Sequence, residues 1–250
     1  MKNTKKEELK DILERLNQGE EVEEVKKEAQ DLLNEIDARE LSEVEQQLID
    51  EGLPETELRG LCEAHIEAMK EELEELKLKL SPGHPLHTLI AEHDEILNML
   101  SELEEVNNKI QEMDEYDPEN PVFEKLKDLA YHLIETEKHH EREEETIFPE
   151  IDEKGITGPT RIMEMEHEDM WPRKENIEKL ANSAGEMDFE KFKKEINQQI
   201  EYLVLNLRDH IFKENNILYP TADSMIEDKK WQDIKKRCDE IGYCCFTPEK

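Results

Sequence analysis

HHEREEETIFP, residues 139–149, is answered by HIFKENNILYP, residues 210–220. Aligned without a gap, His139 meets His210, Glu143 meets Glu214, Ile147 meets Leu218, Phe148 meets Tyr219 and Pro149 meets Pro220. Both copies run on to an acid, Asp152 and Asp223. A shorter pair lies upstream, AEHDEI around His93 and MEHEDM around His167. Four segments thus supply one isolated histidine and one His-x-x-x-Glu in each half of the chain. The set His93, His139, Glu143, His167, His210 and Glu214 suits a dinuclear metal site inside a helical bundle.

Chance is the competing explanation. Glutamate fills about one position in five, so a lone His-x-x-x-Glu says little. The shared Glu, apolar–aromatic pair, Pro and Asp at fixed offsets are much harder to obtain by accident.

The spacing carries the chemistry. Residues i and i+4 lie one turn apart on the same helix face, about 5.4 Å along the axis. His139 with Glu143, and His210 with Glu214, therefore point the same way. Glu143 shares a stripe with Leu129, Leu133, Thr136 and Ile147, and Glu214 follows Leu203, Leu207 and Ile211. A carboxylate at a core position is costly unless it is paired or holds a metal. Two ions roughly 3.5–4 Å apart can share two bridging carboxylates and keep imidazoles at each side, with positions open for a small ligand. Mixed imidazole and carboxylate donors suit two iron ions, and also manganese or zinc. The repeat favours His139 over His140, because only His139 keeps the offsets to Glu and Pro. Pairing His140 with Glu144 is the alternative register. His132 is one heptad before His139, where a place beside the site competes with a plain core or surface role. His84 and His87, in GHPLH, read as a helix start with gating as the alternative.

Composition fits a helical protein. The 250 residues carry a formal net charge of −34, with few glycines and few aromatics. Glu, Lys and Leu are good helix formers. Such acidity argues against nucleic acid and against anionic membrane surfaces, since both need a basic face. No run of 18 apolar residues marks a membrane span, and the N-terminus lacks a signal-peptide core. A cytoplasmic location is expected. Cys62, Cys238, Cys244 and Cys245 form no C-x-x-C pair, as expected of reduced thiols.

Two parts follow from the punctuation, and an all-α fold is expected. Residues 1–80 read as a small helical domain of short apolar stripes stopped by Gly19 and Gly52, with a longer helix opened by Pro54. Ser81-Pro82-Gly83 marks the boundary. Residues 84–223 hold four longer helical patterns, near 85–113, 121–147, 158–182 and 188–217, each with one motif. Their short connections predict an up-down four-helix bundle. Residues 224–250 read as a C-terminal helix, near 226–240, and a tail.

With these motifs assembled, residues 84–223 resemble the hemerythrin-like cation-binding family, a four-helix bundle around a non-haem di-iron centre. ENNILYP and the EH of the third helix are most similar to the di-iron proteins that repair iron–sulfur centres under oxidative or nitrosative stress. The resemblance implies His93, His139, His167 and His210 as terminal ligands and Glu143 and Glu214 as bridges. Oxygen carriers of the family use five histidines, one of them four residues after the third-helix ligand, where this chain has Trp171. Residues 1–80, with Cys62-x-x-His65, are similar to a small helical domain of unknown function often joined to such bundles. Core packing competes with a redox or metal-transfer role for Cys62 and His65, and a packed tail competes with a thiol site for Cys244 and Cys245.

Three functions are compatible with this reading. The first is a redox protein that binds or reduces oxygen, nitric oxide or peroxide with a partner protein as electron source. The others are an iron or oxygen sensor, and an iron-delivery module without turnover. A ferritin-like oxidase fits less well, because those bundles use Glu-x-x-His.

Overall fold

The computed structural model describes Gln46 and residues 70–248. Most of the expected N-terminal domain, with Cys62 and His65, lies outside them. The described residues form helices and no strand. These are α1 (Lys70–Lys79), α2 (Pro85–Gln111), α3 (Pro121–Glu135), α4 (Glu137–Arg142), α5 (Phe148–Asp152), α6 (Gly158–Asn182), α7 (Phe189–Lys213), α8 (Tyr219–Met225) and α9 (Asp228–Ile241). Two single π turns, Glu143–Ile147 and Glu214–Leu218, join α4 to α5 and α7 to α8.

Local chemistry sets the ends. His84 starts α2, its Nδ1 accepting from Leu86 N–H at 3.2 Å, with Pro85 in the first turn where no N–H is needed. Asn120 and Pro121 start α3 in the same way, Asn120 Oδ1 accepting from Val122 N–H at 3.0 Å. Gly155 at φ 86° follows α5 and Gly242 at φ 97° follows α9, a conformation other residues adopt at a penalty.

The chain gathers into two compact units. One, an up-down four-helix bundle, comprises Pro82–Glu143, Met165–Ile211 and Ile234–Lys250. Its core runs through Ile96, Leu100, Leu103 and Ile110 of α2, Phe123, Leu126 and Leu133 of α3, Met170 and Ile177 of α6, and Phe192, Ile196, Leu203 and Leu207 of α7. Each such side chain contributes about 1.5–3 kcal/mol on burial. Away from the histidines the core is aromatic. Phe123 lies 4.6 Å from Tyr116 and 6.2 Å from Phe192 between ring centroids, and Phe189 stacks on Phe192.

Gly185 approaches this cluster closely. A Cβ there would sit 2.6 Å from Tyr116 Cε1, and the Tyr116 ring is held against Phe123 and Phe189. Gly185→Ala is expected to destabilise the chain by about 1–3 kcal/mol through overpacking, measured as a lowered midpoint of thermal unfolding.

In the other unit, α1 packs on the second π turn and on α8, and α5 packs on α8. Both repeat acids are structural here. Asp152 Oδ1 accepts from Thr160 Oγ1 at 2.6 Å, and Asp223 pairs with Lys79 at 2.5 Å. Gln46 Oε1 accepts from the backbone N–H groups of Thr157 (2.8 Å) and Gly158 (3.0 Å) at the start of α6, which satisfies donors the helix leaves open.

Two departures from the sequence pattern shape the site. The single helix expected over 121–147 is interrupted at Thr136, whose hydroxyl donates to Leu133 C=O at 2.7 Å and accepts from the buried Lys174 ammonium at 2.7 Å. The π turns then follow at matched positions. Pro149 and Pro220 lack an N–H, and their rings would clash with the carbonyls of Glu145 and Asn216 in a regular helix. Winding one extra residue into the turn relieves that clash, and such bulges recur at functional sites. Each turn begins at the repeat glutamate, Glu143 or Glu214.

Candidate metal centre

Seven side chains converge. His93 comes from α2, His139 and His140 from α4, His167 from α6 and His210 from α7, while Glu143 and Glu214 open the π turns. All seven are at most 4% exposed. They fall into two sets whose ligand atoms lie within 4.8 Å of one another: His93, His139, Glu143 and Glu214, and then His140, His167 and His210. Glu143 links the two, with Oε2 3.6 Å from His139 Nε2 and 3.8 Å from His167 Nε2. His167 Nε2 and His210 Nε2 face each other at 2.8 Å, and the His140 ring stacks on His167 at 3.9 Å.

The imidazoles are oriented from behind. Glu92 Oε2 lies 2.7 Å from His139 Nδ1, and Glu166 Oε2 lies 2.8 Å from His210 Nδ1. Glu137 Oε1 accepts from Lys174 at 2.8 Å and lies 3.3 Å from His140 Nδ1 without a hydrogen bond to it. A carboxylate only accepts hydrogen bonds, so Nδ1 of His139 carries the proton and Nε2 turns to the centre. Each EH dipeptide thus has two roles: its histidine enters the cluster and its glutamate fixes a histidine of the same half of the repeat.

Electrostatics follow. Burial would raise the Glu92 carboxyl, but the hydrogen bond from His139 and the charges of His139 and Arg142 bring it down to about 2. Burial would depress His139, but the Glu143 and Glu92 carboxylates lift it to about 9. Burial, then the neighbouring His167 and Lys174, push His140 well below its ordinary value, leaving the neutral imidazole a metal needs.

Among the six residues expected from sequence, His93, His139, Glu143 and Glu214 form one set, and His167 and His210 belong to the other. His140, set aside in favour of the repeat register, completes that second set and brings the imidazoles to five. The fifth imidazole comes from α4 and not from position 171, where Trp171 is half-buried. Glu144 is half-buried and stands in neither set. Glu92, Glu166 and Glu137 were also missed, although the repeated EH dipeptide pointed to the first two. His84 caps α2. His132 stays outside both sets, its Nδ1 2.8 Å from Asp128 C=O and its ring edge-on to Phe246. Cys238 and Cys244 are buried and Cys245 is exposed, and the three form no disulfide.

The donor set fits metal. Five neutral-capable imidazoles and two carboxylates, all removed from water, form a site in which a cation offsets the desolvation of the acids. Such a bundle and cluster define a cation-binding helical protein. Residues 84–222 match the hemerythrin HHE cation-binding domain, and the chain belongs to that family. Residues 9–75 match a family of unknown function, DUF438. The chain is also similar to the iron-sulfur cluster repair protein YtfE of Citrobacter koseri (strain ATCC BAA-895 / CDC 4225-83 / SGSC4696), at 28% identity over 148 residues. That match covers 54% of this chain and 63% of the relative, less than two thirds of its length. No helix among the described residues is long and apolar enough to cross a membrane.

Proposed function

We propose that this chain is a non-haem di-iron protein that binds or reduces oxygen or nitric oxide species and serves the protection or repair of iron centres. The observation that carries the reading is the buried double cluster: two donor sets, bridged by Glu143, each able to hold one ion. His93, His139, Glu143 and Glu214 would hold the first, and His140, His167 and His210 the second, with Glu143 shared. Bound there, two iron ions would supply reversible electron storage and a place for a small ligand to bind. The chain's own residues do the rest. Glu92 and Glu166 fix the histidine rings, and the apolar core around Leu133, Met170 and Leu207 excludes water. Oxygen, nitric oxide and peroxide are small and need no charged recognition pocket. Similarity to an iron–sulfur cluster repair protein supports the protective role, and a cytoplasmic setting with a redox partner protein as electron source completes the proposal.

The test is to reduce the iron-loaded chain anaerobically and add oxygen, nitric oxide and peroxide in turn. A new absorption band with at least one of them is expected, and an unchanged spectrum with all three would contradict the reading.

A further inference from the structure

The tail after α9 reaches back into the bundle. Gly242 turns the chain, Tyr243 places its ring over the Arg142 guanidinium at 4.8 Å, and the buried Cys244 Sγ lies 3.8 Å from that guanidinium. Thr247 then donates from Oγ1 to Glu92 Oε1 at 2.5 Å, across 155 residues of sequence. The Cys244 carbonyl lies 2.9 Å from the same hydroxyl, and the charged carboxylate is the stronger acceptor for its single proton.

Glu92 is fully buried, and its two oxygens have separate duties. Oε2 takes His139 Nδ1 and the Arg142 guanidinium, the latter at 2.5 Å, while Oε1 takes Thr247. With Oε2 alone engaged, the carboxylate plane could swing about that oxygen and the His139 ring with it. A donor on Oε1 stops the rotation. Partners behind a ligating histidine raise its basicity and fix its ring, and their loss typically weakens metal binding 10–100-fold. Thr247 lies beyond the residues that match the hemerythrin family model, so the family match does not assign it a role.

We propose that Thr247 is a positioning residue for His139, acting through Glu92, so that the C-terminal tail tunes one of the two metal positions. The proposal rests on the metal reading above for its first test and stands apart from it for its second.

In the full chain, cobalt(II) titration against a competing chelator should show one of two ions held about tenfold more weakly in Thr247→Val, which keeps the shape and loses the hydroxyl. The other ion should stay within about twofold, and Thr247→Ser should restore both. Unchanged binding in the valine variant, a serine variant as weak as valine, or equal weakening of both ions would overturn the proposal. The second test uses the metal-free chain. Solvent exchange of the His139 Nδ1 proton, followed by nitrogen-15 NMR of labelled histidine, should quicken several-fold in Thr247→Val and not in Thr247→Ser. Exchange as slow as in the unaltered chain would overturn the proposal. Failure of the unaltered chain to bind cobalt would sink the metal reading and leave the exchange result to decide the role of Thr247.

Discussion

Alanine at Glu143 is expected to reduce the metal content from two ions per chain to one or none. Glu143 is the group that both donor sets share, with one oxygen 3.6 Å from His139 Nε2 and 3.8 Å from His167 Nε2. Removing it takes a ligand from each set at once, whereas loss of His93 or His210 touches only one. The metal-free chain should behave differently. There Glu143 is a fully buried acid in a nest of imidazoles, and a buried charge is expensive to desolvate. Facing His139, whose imidazole it lifts, it recovers part of that cost, so the alanine variant without metal should melt close to the unaltered chain without metal, and the larger loss should appear with iron present. Elemental analysis combined with thermal unfolding, each with and without iron, separates these effects. Two ions retained by the variant would show that Glu143 is not a bridge.

Phe192→Ala is expected to do the opposite, lowering stability strongly while leaving metal content at two. Phe192 is fully buried and packs with Phe123 and Phe189 in the aromatic part of the core. Phe→Ala in such a place costs about 3–5 kcal/mol, which for a chain of this size lowers the midpoint by about 6–20 °C. Its position on α7 is 18 residues before His210, roughly 27 Å along the helix axis. The His and Glu side chains should therefore keep their arrangement. Iron counted below the midpoint would test this, and loss of metal there would mean that the site depends on the distant core.

Much of this organisation was legible because the chain repeats itself. The His-x-x-x-Glu spacing put two ligand types on one helix face, and Leu129, Leu133, Leu203 and Leu207 showed that this face looked inward. The helical patterns near 85–113, 121–147, 158–182 and 188–217 matched the observed helical stretches to within a few residues, apart from the break at Thr136. His140 was harder to read, because its partner in the repeat, Ile211, is a core residue. Its role depends on the stacking against His167, a contact between helices that no spacing within one helix encodes. The π turns were hidden for a related reason. Pro149 and Pro220 announce a disturbance, but a proline can kink, end or widen a helix, and the surrounding packing selects among these. Glu92 and Glu166 stood in plain view within the EH pairs. In a chain so rich in glutamate, their identity alone carried little weight, and only their distances to His139 and His210 set them apart.

One chain is expected to hold two metal ions in these two linked donor sets. Native mass spectrometry of the full chain, purified without oxygen and supplied with ferrous iron, counts them. A mass increase of two iron ions per chain, absent when Glu143 and His167 are both replaced by alanine, is the predicted result. A chain that takes up one iron, or none, contradicts this expectation.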